Sequence, residues 1–415
     1  MTRHLSTLAL AVSAVALAPA APANAVALAN DDIGRFVQTG SFGDMRWEAR
    51  SLIVAMTPTR DATPAPPTHT GGGNPIFIPS QPANSGIGAL IMDYGVFTSG
   101  PNIGLNALFI CTGTLTTRTA IVTAGHCVLP RSDTSRASPL VTAYFNTTPD
   151  VRVPFNATSL ALPVATINIH PSYTGQVIDH FDVAILELAT KAPASLPLTK
   201  MLLSVGPDGL RGEDFTVKGY GNRSINGGCG PLPGCASGGA TGGTTGYLRE
   251  GDNKYDYRMG DPIFSAIPGN GWQTIYPLNP NIAYSYISDF DNGNVVNSQA
   301  SRVAQASNLA QAAGAIFIDT GRGAREVGVA GGDSGGPGLV GGRIATVTSY
   351  GLSFGTAWGD CRAGLQSSCG ELNGFAPLYI SRDWILSVVP APGAIAVFGL
   401  GLGLLAGLRL RRAAA

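Results

Sequence analysis

From about Ile87 onward, apolar and polar positions fall into short β-like runs separated by turns. The clearest is Phe109-Ile110-Cys111-Thr112-Gly113-Thr114-Leu115-Thr116-Thr117, followed after a polar turn by Ala120-Ile121-Val122-Thr123-Ala124-Gly125-His126-Cys127. Asp182 opens another apolar run, Val183-Ala184-Ile185-Leu186-Glu187-Leu188. Arg343-Ile344-Ala345-Thr346-Val347-Thr348-Ser349-Tyr350-Gly351 reads as a late strand. Upstream, residues 36–56 hold shorter strand-like pieces such as Ser51-Leu52-Ile53-Val54-Ala55-Met56. Residues 58–82 are rich in Pro, Thr and Gly, the composition of a linker or an exposed loop.

The two ends differ in pattern. Arg3 and His4 precede a mostly apolar stretch over residues 5–17, and Ala23-Asn24-Ala25 offers small residues around a cut before Val26. Residues 1–25 therefore read as an export signal, with a buried N-terminal helix as the alternative. Residues 26–84 read as a propeptide or N-terminal extension. At the other end, Val389-Pro390-Ala391-Pro392 precedes an apolar, Gly-rich run over residues 393–408 and then Arg409, Arg411 and Arg412. That run is short for a spanning helix, but flanking arginines can snorkel.

Composition narrows the class. The chain has 415 residues, 44% of them hydrophobic, so it can bury a large core. Its 26 basic residues balance 26 acidic ones, and no charge run points to nucleic acid. Charged residues make up only 13%, and 55 glycines favour a loop-rich β protein over a helical one.

The candidate chemistry centres on Gly331-Gly332-Asp333-Ser334-Gly335-Gly336-Pro337. Glycine has no side chain to pack and costs entropy on ordering, so such a run serves sharp bends and close backbone approach. That suits a nucleophile whose partner must also meet backbone N–H groups; the plainer alternative is a Gly-rich surface turn. His126 lies inside Thr123-Ala124-Gly125-His126-Cys127. Asp182, with Asp179 as its competitor, begins a β run that would bury a carboxylate beside its partner.

These segments resemble those of the chymotrypsin-like (trypsin-fold) serine proteases. The glycine-rich heptad resembles the family's G-D-S-G-G-P motif, and the His126 segment its T-A-A-H-C, with Gly125 for the second Ala. Asp182-Val183-Ala184-Ile185-Leu186 resembles its D-[IV]-A-[IL]-[IL]. Thr216-Val217-Lys218-Gly219-Tyr220-Gly221 resembles the strand that opens the second barrel. Gly374-Phe375-Ala376-Pro377 and Asp383-Trp384-Ile385 resemble the last strand and closing helix. The resemblance implies an all-β fold of two six-stranded antiparallel barrels over residues 85–388, with insertions in the second barrel and a C-terminal helix. The long Asp182-to-Ser334 spacing places those insertions at residues 222–245 and about 255–314.

The resemblance also implies roles. Ser334 is the nucleophile, His126 the base, Asp182 its orienting acid, and the N–H groups of Gly332 and Ser334 form the oxyanion hole. The order His…Asp…Ser matches this family among the convergent triads. Gly328 and Val329 fall at the base of the specificity pocket, and Ser349, Tyr350 and Gly351 on the edge that holds substrate backbone. No acid sits at position 328, which argues against Lys or Arg specificity, although Glu326 is close in sequence. A medium or large apolar residue is expected before the cut. Asp333 is a structural acid that the family usually pairs with a freed apolar amino terminus; Ile87-Gly88-Ala89-Leu90 is the nearest such sequence before Cys111. The substrate implied is a polypeptide, with no cofactor. A serine esterase, or an inactive relative serving as a cell-surface binding module, are the alternatives.

The chain has six cysteines, and an exported protein pairs them, in any of 15 ways. The resemblance favours Cys111–Cys127, and proximity suggests Cys229–Cys235 and Cys361–Cys369. No C-x-x-C pair suggests a metal, and the Asp289, Asp291 and Asn292 stretch reads more readily as a turn than as a Ca²⁺ loop. The tail, residues 389–415, resembles the PEP-CTERM sorting signal of Gram-negative bacteria, with Ala391 for the usual Glu; a simple membrane anchor is the alternative. It implies export to the cell envelope, surface or medium, membrane contact through the tail, and an exosortase-type processing enzyme as partner.

Overall fold

The structure is a computed structural model. It describes residues 27–30, 36–42, 45–51, 54–55, 77–79, 85–146, 159–222, 245–261, 281–291, 321–361 and 367–389, with Val153, Trp272 and Ser298 as single positions. The expected export signal, the Cys229–Cys235 pair, most of both insertions and the apolar tail lie outside the described residues.

The described residues include seventeen strands. The first ten are β1 (Ala27–Asn30), β2 (Phe36–Phe42), β3 (Met45–Ser51), β4 (Val54–Ala55), β5 (Ile87–Val96), β6 (Asn106–Leu115), β7 (Ala120–Thr123), β8 (Leu140–Phe145), β9 (Leu160–Ile169) and β10 (Ala184–Leu188). The rest are β11 (Asp214–Gly219), β12 (Arg249–Lys254), β13 (Tyr257–Arg258), β14 (Tyr286–Phe290), β15 (Pro337–Val340), β16 (Arg343–Ser353) and β17 (Glu371–Pro377), before a short helix, α1 (Arg382–Val388).

Strands β6-β5-β8-β9-β10-β7 form one antiparallel sheet, and pairing of β6 with β7 closes it into a barrel. Closure removes the exposed edges a flat sheet would leave. The strand pattern follows from two burial faces. In β10, Ala184, Leu186 and Leu188 point into the barrel core with Leu90, Phe109 and Ile121. The alternate residue Ile185 joins Val122, Ile344, Val347 and Ile385 between the two sheets. Side chains alternate along a strand, so a strand buried on both faces reads as a continuous apolar run. Helix α1 closes this second cluster through the fully buried Ile385.

The second sheet runs β12-β11-β15-β16-β17-β14. It holds the six strands of the second half of the fold as a half-barrel: among the described residues β12 and β14 face each other without a ladder of their own. The gap is bridged by β13, which follows β12 and pairs antiparallel with β14, and by bonds beside it. Asn253 Nδ2 donates to Asp289 O at 2.7 Å, and Asp256 N to Ile287 O at 2.9 Å. The expected propeptide or N-terminal extension also pairs with both sheets. Of residues 36–56, β2 and β3 form a hairpin, with β3 antiparallel to β16, and β4 is antiparallel to β6.

The disulfides Cys111–Cys127 and Cys361–Cys369 are formed. The first ties β6 to the turn that carries His126.

Candidate active site

Four pieces of chain converge where the two sheets meet. His126 sits in a 3₁₀ turn, Gly125–Val128, directly after β7. The carboxylate of Asp182 reaches this turn twice: Oδ1 accepts the backbone N–H of His126 at 2.8 Å, and Oδ2 accepts the ring Nδ1–H at 2.6 Å. That leaves Nε2 unprotonated, facing the Ser334 hydroxyl, which donates to it at 2.7 Å. The third donor to Asp182 is Ser349 Oγ, at 2.5 Å from Oδ2. Ser349 owes its position to a bulge: the register between β16 and β17 jumps between Thr348 and Tyr350. The extra residue turns its hydroxyl out of the ladder and towards the acid. Asp182 and Ser334 have no exposed surface, and His126 is 2% exposed.

Gly125 replaces the Ala of the family pattern for a visible reason. A Cβ there would lie 2.9 Å from the Tyr173 ring and 3.2 Å from Asp182 Oδ1. The ring fills the space an Ala methyl would take. Asp179 is also fully buried, but it serves its own loop: it accepts from Thr174 N, Thr174 Oγ1, Phe181 N and Asn281 Nδ2. His170 stacks on Phe181 at 4.5 Å and meets Trp384 edge-on, and burial pulls its pKa down to about 4. It is a packing residue.

The nucleophile loop is pinned across the sheet junction by Thr112 of β6. Its N–H donates to Ser334 O at 2.8 Å and its hydroxyl to Gly332 O at 2.9 Å, while the same hydroxyl accepts Tyr220 N at 3.0 Å. With its carbonyl so held, Gly332 has φ +99, a conformation open to glycine and strained for other residues. Among the described residues, the N–H groups of Gly332 and Ser334 donate to no backbone acceptor. Sequence reasoning missed Thr112 because a threonine in a strand looks like any other strand former; its contacts are with residues more than a hundred positions away.

Asp333 has no cation beside it among the described residues. Its Oδ2 accepts Ala330 N at 2.9 Å and its Oδ1 accepts Gly221 N at 2.8 Å. Burial raises its pKa to about 6, and these two N–H donors work against that rise. A Cβ at Gly221 would fall 2.6 Å from this carboxylate, so the glycine is what lets the backbone donate. Ile87, the sequence candidate for a freed amino terminus, instead opens β5 within the barrel wall.

Around the expected specificity pocket, a Cβ on Gly328 would meet the Phe290 ring at 3.3 Å. Val329 is not an open lining residue: it is 3% exposed, packs in the core of the second sheet, and its N–H donates to Asn373 Oδ1 at 3.0 Å. Tyr350 is fully buried with its hydroxyl 2.7 Å from Ser285 Oγ. Glu326 is buried, with Oε1 accepting Asp291 N and Oε2 accepting Arg322 N. Burial first, then the charge of Asp291, raises its pKa to about 8, so the side chain is mostly neutral at pH 7. Asp289 lies in β14 and Asp291 directly after it, both buried; Asn292 and the rest of the expected turn lie outside the described residues.

A stability profile checks this environment. Glu326 has a folded pKa of about 8 against an ordinary 4.5. The folded state therefore binds more protons between those values, and stability falls as pH rises through that window. Asp333 adds the same sign between 3.8 and about 6. In a Ser334→Ala background, to prevent self-digestion, Tm is expected to fall from pH 5 to 8, and the added change Glu326→Gln to flatten that fall. Parallel Tm curves for the two chains would refute the assignment.

Cys111, His126 and Cys127 have potential ligand atoms within 4.8 Å of one another. Both sulfurs are joined in the disulfide, so neither is available as a thiolate ligand. Among the described residues, no helix is long and apolar enough to cross a membrane; residues 393–408 are not among them.

No curated protein matches the chain. The family model described as Trypsin matches residues 98–234, a segment that includes His126 and Asp182 and ends before Ser334. With the closed six-stranded barrel, the half-barrel sheet beside it and the short C-terminal helix, the chain has the trypsin-like serine protease fold.

Proposed function

We propose that the protein is an exported serine endopeptidase acting through an acyl-enzyme on Ser334. The observation that supports this most is the unbroken chain of hydrogen bonds Ser349–Asp182–His126–Ser334, with two N–H groups at the nucleophile loop that donate to no backbone acceptor among the described residues. Ser334 Oγ attacks the scissile carbonyl while His126 Nε2 takes its proton and later delivers it to the leaving amine. Asp182 holds the imidazole in the tautomer with Nδ1 protonated and stabilises its cation. The N–H groups of Gly332 and Ser334 face the developing oxyanion, where loss of one donor typically costs about 3 kcal/mol. Disulfides suit an exported protein, and residues 1–25 and 389–415 carry the expected export signal and sorting tail.

The preferred residue before the cut is apolar, Leu or Phe, with Ala second. Gly328 offers no charge, and the nearest acid in sequence, Glu326, is neutralised and hydrogen-bonded to backbone. Such a pocket gains about 25 cal/mol per Å² of apolar burial and does nothing to offset desolvation of a Lys or Arg head group. Profiling a peptide library by mass spectrometry, beside a panel of simple esters, tests both points. Cleavage after apolar residues is expected; a dominant Arg or Lys would overturn the specificity, and ester turnover without peptide turnover would favour an esterase.

A further inference from the structure

Five successive carbonyls of the nucleophile loop each accept a hydrogen bond. Ala330 O accepts Asp333 N at 2.9 Å, Gly331 O accepts Asn222 N at 2.9 Å, Asp333 O accepts Gly336 N at 2.8 Å and Ser334 O accepts Thr112 N at 2.8 Å. The fifth, Gly332 O, is held differently: its donor is a side chain, the hydroxyl of Thr112, at 2.9 Å. Backbone donors come with the fold, whereas this one exists only because position 112 carries a hydroxyl.

The proton of that hydroxyl is committed. Thr112 Oγ1 accepts Tyr220 N at 3.0 Å, which leaves its own O–H for Gly332 O. Thr112 is fully buried, so no solvent stands ready to take its place. Tyr220, Gly221 and Asn222 follow directly on β11, and their three consecutive N–H groups go to Thr112 Oγ1, Asp333 Oδ1 and Gly331 O. The nucleophile loop is thus laid along one short segment of the second sheet, and Thr112 couples that segment to β6 of the barrel. The two backbones lie close: a Cβ on Gly332 would fall 2.9 Å from Gly221 Cα.

The peptide that joins residues 332 and 333 lies between the two that carry the N–H groups of Gly332 and Ser334. Its orientation sets how those donors point relative to each other. Gly332, at φ +99, has no Cβ to limit its rotation, so other contacts have to. We infer that Thr112 is a positioning residue for the oxyanion hole: through its bond to Gly332 O it holds the N–H groups of Gly332 and Ser334 towards the point where the scissile carbonyl oxygen gains charge. This rests on the endopeptidase reading above and adds to it a residue outside the triad. The Thr112 hydroxyl bonds Gly332 and Tyr220, not His126 or Asp182, so its loss acts on the oxyanion and not on proton transfer. Charge on that oxygen develops in the transition state, so misdirected donors lower kcat and spare KM.

The test uses the full chain as wild type, Thr112→Val, Thr112→Ser and, as a control, Tyr255→Phe, which removes a buried hydroxyl 2.6 Å from Thr346 Oγ1. Tm shows that each is folded. Peptide hydrolysis is followed against pH. The acyl carbonyl stretch on Ser334 is read by infrared difference spectroscopy after acylation with cinnamoylimidazole, because a hydrogen bond donated to a carbonyl lowers its frequency. Thr112→Val is expected to lose about 10- to 100-fold in kcat, less than the roughly 10²–10³-fold that follows removal of a donor outright. Its KM and pH profile should match the wild type, and its acyl stretch should move up towards that of the unfolded acyl-enzyme. Thr112→Ser keeps the hydroxyl and Tyr255→Phe leaves the loop alone, so both should stay within about threefold of wild-type kcat with the stretch unmoved. Wild-type kcat or an unmoved stretch in Thr112→Val, or an equal loss in Tyr255→Phe, would overturn the inference and leave the endopeptidase reading standing. Should Thr112→Val not fold, Thr112→Ser decides, since a tenfold loss there overturns a role for the hydroxyl. A wild type that is acylated but cuts no peptide would count against the endopeptidase reading alone, because the stretch still tests Thr112; one that does neither would overturn both.

Discussion

Replacing Ser334 by Ala is expected to lower kcat on a peptide substrate by about 10⁶-fold, with His126→Ala close behind and the double variant losing little more. The reason is that the two act as one unit. The Ser334 hydroxyl is a weak nucleophile unless its proton leaves as it attacks, and His126 Nε2, at 2.7 Å, is the atom placed to take it. Once either partner is gone, the other has nothing to do. What survives is binding and the oxyanion donors of Gly332 and Ser334, which together still leave some rate above water. Steady-state kinetics on wild type, both single variants and the double variant provide the check. Losses that multiply in the double variant would mean that Ser334 and His126 contribute independently, which the geometry does not allow.

Asp182→Asn is expected to cost about 10⁴-fold in kcat near neutral pH while leaving the fold in place. Asp182 accepts three hydrogen bonds, from His126 N, His126 Nδ1 and Ser349 Oγ, and donates none. An amide in its place has one oxygen for these donors. If its NH₂ faces the ring, His126 must turn its unprotonated nitrogen to that amide, which puts the proton on Nε2, the atom that has to receive one from Ser334. The loss should appear in kcat far more than in KM, because the tautomer matters to the reaction and not to binding. An Asn variant with near-normal kcat would show that the acid does no more than pack. Asp179→Asn makes the contrast: that carboxylate holds its own loop, so its change should act through stability.

Much of this was legible in the sequence, for a physical reason. The strands of the first barrel have local signatures, because β7 and β10 are buried on both faces and read as apolar runs. His126, Asp182 and Ser334 stand in short motifs whose small or glycine neighbours answer local demands, such as the space the Tyr173 ring takes beside Gly125. What stayed hidden depends on partners distant along the chain. Nothing around Thr112 announces that it pins Ser334 and Gly332. Ser349 was placed on the substrate edge, whereas a bulge directs its hydroxyl to Asp182. Residues 36–56 showed β character, but alternation in a strand does not name its partner, so the attachment of β3 to β16 could not be read. The open side of the second sheet is of the same kind: the side chain of Asn253 stands in for ladder bonds that β-propensity alone would have supplied.

The central claim, that Ser334 is an activated nucleophile, is tested most directly by its reaction with a fluorophosphonate. Purified wild-type protein and Ser334→Ala are treated side by side, and the modified peptide is located by mass spectrometry. A single adduct on Ser334 in the wild type, and none in the variant, is the predicted result. Equal labelling of the two proteins, or an adduct on a different serine, would contradict it.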